Sequence, residues 1–235
     1  MSLLLRRGIF SKKDSGFLTY NHTWVDNAQI QSNKAETDGS GDGIHFPNDT
    51  IFDLAAQDFT FETYVNFDAF PQPFPTLFAK WGSAGDRCFQ FLLIQSSNLL
   101  RFGYTTDGTT ELSFDSSWTP STATDYHVAY CRDGSNLRLF IDGTQIGSTH
   151  NISTDSIHTD TNRLTISALD APTSTFLASA YLDGTQDVIR IEVGFARYTS
   201  NFTPPAAGDI KNTVDTAYIN TFTGANGSTP TLNTN

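Results

Sequence analysis

The residues best suited to acid–base chemistry in this chain are its four glutamates, Glu36, Glu62, Glu111 and Glu192. Cleaving a glycosidic bond takes two carboxyl groups, roughly 5–5.5 Å apart for retention or roughly 6.5–9.5 Å apart for inversion. Acids that share a strand face alternate along the sequence, and these four are isolated from one another. Asp183 and Asp187 are close in sequence but are expected to bracket a turn rather than line a face. The histidines, His22, His45, His127, His150 and His158, show no H-E-x-x-H or comparable spacing, whereas a zinc site needs clustered ligands. His127 lies in an apolar run and reads as a core residue with a hydrogen-bond partner. There is no nucleophile elbow and no glycine-rich phosphate loop ahead of a helix. The chemistry expected is binding, not catalysis.

The elements that must position any binding group are short strands. The chain has 235 residues, and 13 % of them are aromatic, with 19 Phe; aromatic side chains favour strands. Phe59–Val65, Leu77–Trp81, Phe89–Ile94, Leu99–Tyr104, Leu112–Phe114 and Tyr126–Cys131 each read as a strand. Phe89, Phe91 and Leu93 alternate with Leu92 and Ile94, so that strand should be buried on both faces. Leu137–Ile141 ends at Asp142-Gly143, a strong hairpin signal, with a return strand around Gln145 and Ile146. Leu164–Ala168, Val188–Val193 and Ala217–Phe222 complete the set, and Ile51–Ala56 allows one helical turn. Many short strands separated by turn residues predict an all-β sandwich or barrel, for which this length suits a single domain.

The net charge of −11 argues against nucleic acid, whose recognition needs a basic surface, and against anionic membranes. No apolar run reaches the roughly 20 residues of a membrane helix. Leu3–Leu5 is too short for a signal-peptide core, so the expectation is synthesis in a cytoplasm. Arg6, Arg7, Lys12 and Lys13 crowd the first residues and read either as a solvated leader or as an arm that docks on an acidic partner. The expected organisation is a basic arm over 1–16, a sandwich over 17–222 and a polar tail over 223–235. Cys88 and Cys131 each sit in an apolar run and are expected to be buried thiols, since a free cysteine packs as a small hydrophobe.

Several stretches carry a resemblance. Asp42-Gly43-Ile44-His45-Phe46-Pro47 resembles the opening "G-D-x-φ-x-φ-P" strand of laminin-G-like, concanavalin-A-like jelly rolls. Phe59–Val65 is similar to their "F-T-I-E-x-W-V" and Leu77–Gly82 to "L-F-S-K-W". His127–Tyr130 with Arg132-Asp133-Gly134 is similar to "H-V-A-x-x-R-D-G", and Leu137–Gly143 to "L-R-L-Y-V-D-G". Gly184–Ile191 is similar to "G-x-I-D-x-V-R-I", with Gln186 in place of an apolar residue. Ala196–Pro205 resembles the closing "A-R-Y-T-x-N-F-T-P-P" of a branch common in tail and virion-surface proteins of tailed phages and marine viruses.

The resemblance implies a two-sheet antiparallel β-sandwich of the jelly-roll, concanavalin-A-like type. It implies a non-enzymatic virion-surface protein, a capsid decoration or tail appendage with a lectin-like domain for adhesion or assembly. A stand-alone carbohydrate-binding module, or less readily a glycoside hydrolase, stays open. Partners would be other virion proteins and host-surface glycans, and a homo-oligomer is open. For glycans the candidate contacts are Trp81, Tyr104 with Asp107, and Trp118, at strand ends or in loops, where aromatic faces stack on sugars. The competing reading for each ring is packing in the core or at its rim. Members of the wider superfamily bind calcium, and Asp42 and Asp187, on strands expected to be neighbours, are the candidate ligands; alternatively, Asp187 pairs with Arg190 or caps a turn.

Overall fold

The computed structural model describes residues 23–31, 34–170, 177–206 and 219–220. Its strands are β1 (Thr23–Val25), β2 (Gln29–Gln31), β3 (Lys34–Asp38), β4 (Gly43–Phe46), β5 (Phe59–Ala69), β6 (Thr76–Lys80), β7 (Phe89–Ile94) and β8 (Leu99–Tyr104). They continue with β9 (Leu112–Ser117), β10 (Asp125–Asp133), β11 (Asn136–Ile141), β12 (Thr144–Asn151), β13 (Leu164–Ile166), β14 (Asp183–Val193) and β15 (Ile219–Asn220). They form two sheets. One runs β1-β4-β13-β6-β7-β8-β9 and the other β12-β11-β10-β5-β14-β3-β2, with β15 also on β14. Every ladder between named strands is antiparallel. The helical turn expected within 51–56 is a single 3-10 turn at Thr50–Phe52, capped by the Asp49 side chain. The arm residues Arg6, Arg7, Lys12 and Lys13 and the tail 223–235 lie outside the described residues.

Period-two alternation sends one set of side chains from each sheet inward. From β5 these are Phe59, Phe61, Val65 and Phe67; from β7, Phe89 and Phe91; from β8, Leu100, Phe102 and Tyr104; from β10, Val128 and Tyr130. Rings meet across the interface: Phe61 and Phe91 have centroids 4.8 Å apart, Phe91 and Tyr130 4.2 Å, and Phe59 and Phe102 5.7 Å. Both cysteines are buried free thiols.

The eight-stranded sheet is also covered on its outer face. Asp142 and Gly143 both have positive φ, 49° and 73°, as the two-residue hairpin joining β11 to β12 requires. The segment after β14 lies on this hairpin: Phe202 N–H donates to the Gly143 carbonyl at 2.9 Å, and Gln145 N–H to Asn201 Oδ1 at 2.9 Å. Tyr198 stacks on Phe202 at 3.5 Å over Ala129, Cys131 and Phe140. The stretch quoted above as Ala196–Pro205 is thus a strap across the sheet.

One expectation about a strand is corrected. Asp183 and Asp187 do not bracket a turn; both lie on β14, which is continuous from Asp183 to Val193. Its ladder with β5 shifts register between Asp187 and Arg190, and Val188 has φ 46° there. That bulge absorbs the extra residue and carries the strained backbone of a β-branched residue. Strands β1 to β3 are too short and polar to stand out in the sequence.

Candidate functional site

A buried polar cluster lies under the strap. Glu62 on β5 projects from the outer face of the eight-stranded sheet. Its Oε2 is 2.8 Å from His127 Nε2 and accepts from the Tyr198 hydroxyl at 2.8 Å, and its Oε1 is 2.6 Å from Arg190 Nη1. Burial works to raise this carboxyl, but the His127 contact, the Arg190 charge and the Tyr198 hydroxyl together hold it below its ordinary value. Arg197 clamps Glu192 with two bonds of 2.8 and 2.5 Å, and Tyr64 donates to the Pro205 carbonyl. A glutamate, a histidine and a tyrosine in contact have the make-up of an acid–base centre. Here the group is sealed: Glu62, His127 and Arg190 are each at most 1 % exposed, and its ligand is the chain's own strap. Sequence spacing hides this cluster because its members come from β5, β10, β14 and the strap.

The proposed sugar contacts separate. Tyr104 has the parity of Phe102 and Leu100 and points into the core, where its hydroxyl donates to Asp155 Oδ2 at 2.8 Å. Trp81 is buried against Ala79, Leu169 and Ala180, with the Arg87 guanidinium 5.5 Å above its ring. Neither ring is the open stacking face expected of it, because the sandwich and the segment around Leu169 and Ala180 close over them. Asp107 is exposed at a loop tip, but its carboxylate accepts from Thr109 N–H at 2.8 Å, Thr110 N–H at 2.7 Å and the Thr110 hydroxyl at 2.9 Å. Those bonds hold it below the usual carboxylate range and commit it to closing its own loop.

Asp42 and Asp187 are not brought together either. Asp42, beside β4, is buried and accepts from Asn27 N–H at 2.8 Å and Asp38 N–H at 2.7 Å. β14 meets Asp38 through Asp183; Asp187 lies four residues farther along, about 13 Å by strand rise, opposite Tyr64. The two strands expected to be neighbours, β4 and β14, belong to different sheets, so the calcium pair is corrected. Among the described residues no group of three or more His, Cys, Asp or Glu is placed to hold a metal.

Trp118 is the ring that stays half-open. It follows Ser117 at the end of β9, where its N–H donates to the Asn98 carbonyl at 2.9 Å. Its ring meets Tyr126 edge-on at 5.2 Å and Phe67 at 6.0 Å, and Phe70 packs on Phe67 at 5.0 Å. Trp118, Tyr126 and Phe70 are all half-buried around the fully buried Phe67. The Ser121 N–H donates to the Tyr126 hydroxyl at 2.9 Å, tying down the loop, and Ser117, Thr119, Thr122 and Thr124 on its rim are exposed. At the same end Asp125 accepts from Asn66 Nδ2 at 2.9 Å and Lys34 Nζ at 3.0 Å, which keep its carboxyl low and ionised. A half-open aromatic ring bordered by hydroxyls can stack its face on a sugar ring while the hydroxyls orient those of the sugar.

A sequence profile described as the concanavalin A-like lectin/glucanases superfamily matches residues 38–192, more than half of the chain. The chain belongs to that superfamily. Its jelly roll is similar to domain 4 of an extracellular arabinanase from Geobacillus stearothermophilus, solved with arabinotriose: 15 % identity, TM-score 0.54, covering 80 % of this chain and 87 % of that one. It is similar to a sialidase of Trypanosoma rangeli, with 15 % identity and TM-score 0.53 over 82 % of this chain and 29 % of that one. The binding domain of botulinum neurotoxin serotype D/C is a further relative in fold, at 14 % identity and TM-score 0.52 over 73 % of this chain and 45 % of that one. The chain therefore spans most of the arabinanase domain but less than half of the other two chains. At these identities the likeness shows a lectin-like jelly-roll fold. No curated protein matches the chain.

Proposed function

We propose that this jelly roll is a non-catalytic glycan-binding module, carried on the virion of a tailed phage and used for adhesion. The observation that carries the reading is the half-open aromatic end at Trp118 and Tyr126, ringed by exposed hydroxyls. The deeply buried carboxylates support the non-catalytic part: Glu62, Glu192 and Asp170 are each held by an arginine. The virion setting rests on the closing stretch Ala196–Pro205 and on the basic residues Arg6, Arg7, Lys12 and Lys13, which would dock the domain on an acidic face of the particle.

Trp118→Ala tests the glycan reading. Shortening the ring should weaken binding to a neutral oligosaccharide at least tenfold, as loss of a central aromatic contact does, with the fold retained by circular dichroism. A glycan array and host-cell polysaccharide that show no binding to the intact protein would overturn it. The setting is tested by presenting intact and 1–16-truncated protein to phage particles and to host cells. Attachment to particles that needs the arm supports a virion component; equal attachment without it removes the arm from the account. Sugar-competed binding to cells alone makes the chain a stand-alone lectin, and release of reducing sugar makes it a glycosidase.

A further inference from the structure

Lys80 ends β6, and its side chain has no exposure at all. It has the parity of Phe78 and lies opposite Phe89, so it faces the interior between the sheets. Two segments without regular structure meet it there. Asp53, just after the 3-10 turn, brings Oδ1 to 2.6 Å from Lys80 Nζ. Asp160, between β12 and β13, brings its carbonyl oxygen to 2.9 Å and its Oδ1 to 3.5 Å from the same nitrogen. The Asp160 carboxylate is itself held by the Asn162 N–H at 2.9 Å and the Asn162 side-chain amide at 2.6 Å. Phe52 and Leu54, on either side of Asp53, belong to the buried core, as does Cys88, whose N–H donates to the Lys80 carbonyl at 3.1 Å.

A salt bridge needs one carboxylate for one ammonium. Lys80 has two, one against its nitrogen and one beside it. That surplus is what acyl transfer requires, an acceptor and a proton carrier. An Asp53 oxygen at 2.6 Å places the carboxyl carbon roughly 3–3.5 Å from Nζ, the separation of a near-attack pair. At a surface, water and side-chain freedom would disperse that approach; here burial and the Asp160 carbonyl fix it. Reactants held in this way reach effective molarities on the order of 10⁵ M or more, which offsets the preference of an amide for hydrolysis in water. Condensation also removes two charges from the interior, where the desolvation of an ion pair can exceed its attraction. The Asp53 side chain is 21 % exposed, which gives the leaving water a way out. The neighbouring thiol is no rival nucleophile: burial pushes Cys88 up, the Asp160 charge adds to it, and the thiol stays protonated.

We propose that Lys80 and Asp53 are joined by an isopeptide bond that the chain forms by itself, with Asp160 as the proton carrier. Asp160 takes one proton from the ammonium and frees the lone pair on Nζ. Nζ adds to Asp53 Cγ, and Asp160 passes that proton to the Asp53 oxygen that will leave. The new N–C bond stays, the C–O bond breaks, and the oxygen departs as water with a second proton from the nitrogen. One ammonium and one carboxylate become one amide and one water, Asp160 is regenerated, and no oxidant or cofactor is consumed. The bond ties positions 27 residues apart and braces β6 to the turn before β5, in a protein whose two cysteines are free.

The test is the mass of the intact, full-length protein under denaturing conditions, followed by peptide maps. The expected result is a chain one water lighter than its sequence. Trypsin should spare Lys80, and the chymotryptic fragments that contain Asp53 and Lys80 should be recovered joined. Lys80→Arg should restore the full mass, which separates the amide from a succinimide at an Asp-Gly pair such as Asp142-Gly143. Asp53→Asn should give the same linkage with loss of ammonia in place of water, a signature that a merely structural role does not produce. Asp160→Asn should form the bond about a hundredfold or more slower. Wild-type protein at full mass and cleaved after Lys80 overturns the inference, whether or not the variants fold, and so does a water lost elsewhere in the map. An unchanged rate in Asp160→Asn overturns the role given to Asp160.

Discussion

At the residue scale the buried charges decide how the molecule responds to acid. Glu62 is held below its ordinary value, so its contribution to stability is complete above the usual carboxylate range and is lost as pH falls through the depressed folded value. Glu62→Gln leaves Arg190 buried without its anion and should cost about 3–5 kcal/mol at neutral pH, read as a lowered midpoint in urea. A loss below 1 kcal/mol would mean the cluster is not fastening the strap. Asp42 has the opposite sign. Burial pushes it up to about 6, against the pull of the Asp38 and Asn27 N–H groups. Between its ordinary 3.8 and about 6 the folded state holds a proton that the unfolded chain has released, so this group's contribution falls as pH rises across that window. Asp42→Asn should flatten the dependence of unfolding free energy on pH there by up to about 3 kcal/mol; an unchanged slope would contradict it.

At the element scale the β11–β12 hairpin and the strap act as one piece. Gly143 has φ 73°, and a Cβ on it would stand 1.9 Å from the Phe202 carbonyl oxygen. Left-handed backbone costs an ordinary residue about 1–2 kcal/mol, and the overlap with Phe202 adds to it. Gly143→Ala should therefore lift the strap and expose residues 195–206 to protease well below the global unfolding midpoint. A protease pattern identical to wild type would show that the strap is held without the Gly143 contact.

At the scale of the whole molecule the two sheets share one aromatic interface, and Phe91 alone touches Phe61, Phe102 and Tyr130. A core of that connectivity should unfold as one unit. The thiols report on it from either side. Cys88 immediately precedes β7 in one sheet and Cys131 lies in β10 of the other; burial raises both, Cys131 up to about 12. Both should resist a thiol reagent in the native state and become reactive at the same denaturant concentration. Separate labelling midpoints would mean that one sheet opens first. Among the described residues no helix is long and apolar enough to cross a membrane.

The strand content was legible in the sequence because alternation is a local property. Phe59–Val65, Phe89–Ile94 and Leu137–Ile141 each declare their faces within a few residues, and Asp142-Gly143 declares its own turn. The motif stretches carried the superfamily, and Ala196–Pro205 carried a segment without regular structure that alternation alone would leave as loop. The sequence could place an aromatic at a strand end but could not say whether another segment covers it. Trp81 and Trp118 both follow a strand; one is closed over near Leu169 and Ala180, and the other stays half-open beside Tyr126. The same holds for the acids. Glu62 and Arg190 look isolated along the chain and meet only because β5 and β14 pair across a bulge. Asp42 and Asp187 look like partners and are divided between two sheets. Pairing between distant strands sets those distances, and no local pattern of residues encodes it.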